Sequence, residues 1–161
     1  MKNFIFAFIL FALLLTVNAA PFQLNKRAIS FEACSSDLDS LTVKLDPDPP
    51  VSEKIESFNV SGTLTKNDIT KGQTLLLIRY GDKDKQPIDD FYSQPFNESI
   101  KAGNPFKILA SDVHIPKLPD SFAIAVAVGD PTDDPSNPIN LFACVGTIVG
   151  ESSVKSSAST I

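Results

Sequence analysis

From Ile29 onward, apolar and polar residues alternate in short runs, and clusters of Pro, Gly, Asn and Asp separate the runs. A period of two sends successive side chains to opposite faces of a strand, whereas a helix needs apolar residues three and four apart. No segment carries a long amphipathic helical pattern and no internal repeat is visible, so the chain reads as all-β. The pattern predicts strands over 29–33, 41–45, 54–65, 74–80, 88–92, 106–115, 122–128 and 141–149. The separators are DPDPP, TKNDITKG, GDKDKQ, KAGNP, PKLPD and GDPTDDPSNP. About seven or eight short strands in some 120 residues suit two antiparallel sheets packed face to face, since a closed barrel calls for more uniform hairpins.

The stretch KLDPDPPVSEKIESFNVSGTL, residues 44–64, shows the logic most fully. Its prolines form a corner, because proline fixes its own φ and biases the residue before it toward extended geometry. In the strand that follows, Glu56, Phe58, Val60, Gly62 and Leu64 share one face, and Ser57, Asn59, Ser61 and Thr63 share the other. Asn59 begins an N-V-S sequon and is expected to point outward with its sugar. A second sequon, Asn97-Glu98-Ser99, falls in an expected loop. The segments SFAIAVAV and LLLIRY have no polar face. Either they are central strands covered on one side, or their small residues leave room between the sheets for a ligand.

The ends of the chain change the picture. Lys2 precedes an apolar run over 4–17 and then Val-Asn-Ala-Ala, the pattern of a secretory signal peptide over 1–20. The run is short of the roughly 20 residues that span a bilayer, and no anchor is expected in the mature chain. Residues 21–27 read as a short leader ending in Lys26-Arg27, either a dibasic processing site or an exposed basic pair. The domain is expected over 28–151, with a Ser-rich tail over 152–161. Without residues 1–27, 11 basic side chains face 19 acidic ones, a formal charge of -8. Nucleic acid is a poor partner for such a surface. Two cysteines remain, Cys34 and Cys144, at opposite ends of the domain. In an oxidising compartment they are expected to pair, the alternative being two buried free thiols.

Catalytic and metal signatures are not found. The sequence has no G-x-S-x-G elbow, no H-E-x-x-H and no glycine-rich phosphate loop. Its one histidine, His114, sits in SDVHIPKLP among apolar neighbours, which suits a structural or surface role. The S-x-x-K of Ser152–Lys155 lies in the low-complexity tail. The acidic groups Asp82/Asp84, Asp89-Asp90 and Asp130/Asp133/Asp134 lack the spacing of a calcium loop and read as solvated turns. The expectation is a non-enzyme with no cofactor and no metal.

The ordered set FEAC, LTVKLDPDPPVSEK, FNVSGTL, ITKGQTLLLIRYG, IKAGNPFKI, HIPKLPDSFAIAV and LFACVGTI, over residues 30–151, resembles the ML lipid-recognition domains. That family includes the Niemann-Pick type C sterol carrier and fungal phosphatidylglycerol/phosphatidylinositol transfer proteins. Its members bridge an early Cys to a late one, carry a Pro-rich segment after the second strand and have an L-F-x-C signature in a late strand. One departure stands out: family members commonly carry a further bridge, where this chain reads DDFYSQPFNESIKAG with Ser99-Ile100 near the expected Cys-Pro.

The resemblance implies an immunoglobulin-like sandwich splayed around a sterol or phospholipid, acting as a monomer with transient membrane contact. It implies a cavity bounded by Phe58, Val60, Leu64, Ile78, Phe106, Ile108, Phe122, Ile124, Val126 and Phe142, entered near the 91–106 segment and the HIPKLP loop. The expected location is extracellular, or a vacuolar or lysosome-like lumen. From a different class comes a secreted immunoglobulin-like interaction protein with a closed core and no lipid.

Overall fold

The computed structural model describes residues 28–150. The expected signal peptide, leader and Ser-rich tail lie outside the described residues. The architecture is an all-β sandwich of eight strands in chain order: β1 Glu32–Ala33, β2 Leu41–Asp46, β3 Ile55–Thr63, β4 Leu75–Asp82, β5 Tyr92–Pro95, β6 Pro105–His114, β7 Phe122–Pro131 and β8 Ile139–Val149. Five strands form one sheet in the order β1-β8-β7-β4-β5, and three form the other in the order β2-β3-β6. Every strand pair within the sheets is antiparallel.

Alternation decides which side of each strand is buried. Along β3, Glu56, Phe58 and Val60 are buried while Ser57, Asn59 and Ser61 are partly exposed. Along β6, Phe106, Ile108, Ala110 and Val113 are buried, with the lysine, serine and aspartate between them exposed. The two inner faces meet in one apolar cluster that runs from Leu41 to Val145 in sequence. Each large side chain buried there contributes about 1.5–3 kcal/mol relative to exposure, so the two-sided match of patterns dominates the stability of the fold.

The fifth strand departs from expectation. Pairing begins at Tyr92, opposite Ile78, and ends at Pro95, opposite Leu75, rather than covering 88–92. Asp82 is the reason: its Oδ1 accepts the amides of Asp84 and Gln86 and shapes the turn after β4. Asp89 then accepts the Asp90 amide, a local bond that competes with strand pairing. The chain there keeps an isolated bridge, Gly81–Pro87, flanked by the bonds from Asp82 N–H to Gln86 O and from Ile88 N–H to Tyr80 O. Apolar alternation over 88–92 is therefore real but does not make a ladder.

Candidate functional site

The inner surface of the five-stranded sheet is built in rows set by register. Leu76, Val128 and Ala143 form one row, Ile78, Val126 and Val145 the next, and Tyr80, Ile124 and Thr147 a third. Phe58, Val60, Phe106 and Ile108 meet them from the three-stranded sheet, and Phe106 stacks edge-on against Phe96 with ring centroids 5.5 Å apart. All ten residues expected to bound a lipid site, including Leu64, Phe122 and Phe142, fall in this one cluster. They are buried to 9% exposure or less.

At one end of this surface is a group to which sequence reasoning assigned no role. Glu56 keeps the phase of Phe58 and Val60, so its carboxyl is carried inward and is only 1% exposed. The Tyr80 hydroxyl donates to its Oε2 at 3.1 Å, while Oε1 has no hydrogen-bond partner. Burial pushes the Glu56 carboxyl up to about 7, with Asp48 and Asp46 adding to the shift and the Tyr80 bond opposing it. Burial, and the negative charge of Glu56, push the Tyr80 hydroxyl upward as well. The only advance sign of this pair is a glutamate in phase with an apolar face.

The two sheets approach each other at both edges. On one side Asp39 bridges to β8: its amide donates to Phe142 O, and Cys144 N–H donates to Asp39 O, each at 3.1 Å. The disulfide lies beside this seam, Cys34 facing Cys144 with Cα atoms 5.4 Å apart. On the other side β5 runs alongside β6, joined among the described residues by one hydrogen bond, Gln94 Nε2 to Leu109 O at 3.3 Å. This weaker seam falls within the 91–106 region expected as an entrance.

The alanines of SFAIAVAV do not face the space between the sheets. Ala125 pairs with Arg79 on one side and Gly146 on the other, and Gly146 pairs with Glu32, all on the outer face. Small residues flanked by longer ones leave a trough there, and a groove of about 650 Å³ runs over Ala123, Ala125 and Gly146, edged by Arg79, Glu32 and Lys85. Ala127 is covered instead, under Leu38, Leu75, Leu77, Ile139 and Cys144.

The remaining expected features occupy the surface. Asn59 is partly exposed between Lys44 and Leu109 on the outer face of the three-stranded sheet, and Asn97 is exposed just after β5. His114 is exposed at the end of β6. Among the described residues, no group of three or more His, Cys, Asp or Glu side chains is placed to hold a metal ion. No protein-family model matches the chain, and no curated protein matches it significantly.

Proposed function

We propose that this protein is a secreted or lumenal lipid carrier of the ML type, which holds one sterol or phospholipid between its sheets and moves it between membranes. The observation that carries this reading is the convergence of all ten expected residues on one apolar inner surface, beside a seam bridged, among the described residues, by a single side-chain hydrogen bond. A chain of about 16 carbons costs roughly 12 kcal/mol to place in water, at about 0.8 kcal/mol per methylene. A protein that shields the chain throughout transit lowers that barrier and needs no covalent chemistry. The disulfide is compatible with an oxidising compartment, and the two sequons suit passage through a secretory route.

Loading requires the sheets to part, and the β5–β6 side offers the smaller barrier. The opposite side is held by the two main-chain bonds between Asp39 and β8. Mass spectrometry of the protein secreted from a eukaryotic host tests the proposal. A stoichiometric lipid retained through gentle purification is the expected result, and a lipid-free protein that also extracts no labelled lipid from vesicles overturns it. A closed-core interaction protein is the second reading, favoured by the groove on the outer face of the five-stranded sheet.

A further inference from the structure

Within that carrier reading, on which this inference rests, we propose that Glu56 and Tyr80 form an interior polar subsite that accepts the hydroxyl of an uncharged, otherwise apolar molecule. Three observations converge. The carboxyl of Glu56 is buried at the end of the apolar inner surface, has Tyr80 as its one hydrogen-bond partner among the described residues and leaves Oε1 free to bond. The core cluster beside it is made of apolar side chains, so a ligand lying along them finds a buried carboxyl as its polar complement at this position. A buried polar atom without a partner is costly, and a ligand that satisfies it gains selectivity over one that does not.

The chemistry of the group narrows the ligand class. A neutral carboxyl can donate and accept, a carboxylate can only accept, and an alcohol complements both states. An anionic headgroup is repelled by the carboxylate, and the neutral carboxyl can donate to it but leaves its charge uncompensated in a buried site. Such a headgroup would sit beside Glu56 itself and within the influence of Asp46 on β2 and Asp48 just beyond it. Facing Glu56, β6 pairs Val113 and β4 contributes the Tyr80 hydroxyl, so neither neighbour supplies a cation. The expected preference is for a hydroxyl-bearing lipid, such as a sterol or a long-chain alcohol, inserted with its hydroxyl toward this end.

The test uses the full secreted chain and N-phenyl-1-naphthylamine, a fluorophore without a hydroxyl that brightens in apolar surroundings. Hexadecan-1-ol, hexadecyl methyl ether and hexadecyl phosphate compete for it. The expected result is displacement by the alcohol at about ten-fold or lower concentration than by the ether or the phosphate, the equivalent of one buried hydrogen bond. Glu56→Leu should abolish that preference while retaining fluorophore binding, and Tyr80→Phe should weaken it. If Glu56→Leu does not fold, the Tyr80→Phe result decides. Fluorophore binding with no preference for the alcohol, or a preference unchanged in the folded variants, overturns the subsite and leaves the carrier reading standing. No fluorophore binding by the wild-type protein removes both.

Discussion

At the scale of single residues, the buried carboxyl of Glu56 makes the clearest claim on solution behaviour. Its folded value, about 7, lies above the ordinary 4.5, so between those pH values the native protein holds a proton that the unfolded chain has released. The stabilisation tied to that proton is complete below about pH 4.5, declines as pH rises toward 7 and is gone above it, with a limiting slope of about 1.4 kcal/mol per pH unit. Glu56→Gln stays neutral throughout, so urea denaturation at pH 5 and pH 8 should show a smaller alkaline loss in the variant than in the wild type. Two glycines give a second comparison. Gly150 has φ +90°, and a Cβ there would overlap the Asp120 carbonyl oxygen, whereas Gly72 has φ +76° with nothing within 4 Å. Gly72→Ala should cost about 1 kcal/mol, and Gly150→Ala clearly more, in thermal or urea unfolding. The turn glycine is legible in TKGQ. The contact at Gly150 is not, because Asp120 is remote in sequence and becomes its neighbour only when β7 and β8 pair.

Elements were legible where alternation set the buried face. The inward phase of β3 follows directly from IESFNVSG and that of β6 from PFKILA, because burying one face of each pins the register. The register shift between Glu56 and Phe58, which brings Val113 inward three residues after Ala110, is not written in the alternation. Alternation failed as a guide over 88–92, where aspartate side chains bond their own backbone, and it could not tell whether the alanines of β7 faced inward or outward. Only the pairing of Ala125 with Arg79 and Gly146 settles that Ala123 and Ala125 form the floor of an external trough, while Ala127 on the same face is covered. The first strand illustrates dependence on a covalent partner. β1 has two residues, pairs only with β8 and is anchored through Cys34 to Cys144 across a separation of 110 residues. Replacing both cysteines by serine should cost about 2–5 kcal/mol in urea denaturation. Amide exchange should accelerate first at residues 32–34, while β3, β6 and β7 keep their protection under native conditions.

For the whole molecule, the end that carries Glu56 combines exposed apolar side chains with a net negative chain. Val51 and Ile55 are 46% and 61% exposed where β2 gives way to β3, and Phe91, 51% exposed, lies in the connection from β4 to β5 that turns at the same end. Exposed apolar groups gain by insertion among lipid headgroups, whereas a net negative formal charge, -5 over the full chain, is repelled by anionic membranes. These two contributions respond to different manipulations. If the carrier approaches membranes by this end, substituting Val51→Asp together with Ile55→Asp should slow vesicle-to-vesicle transfer of a fluorescent sterol by about ten-fold or more. Uptake of N-phenyl-1-naphthylamine in solution and the urea midpoint should stay near wild-type values, because neither side chain belongs to the buried core. Replacing phosphatidylcholine vesicles with phosphatidylserine-rich ones should slow transfer by the wild-type protein, and added salt should restore part of the rate by screening the repulsion. A carrier that docked through basic residues would show the opposite salt response. Transfer unaffected by the paired aspartates would place the membrane-facing surface elsewhere, the β5–β6 seam being the next region to test.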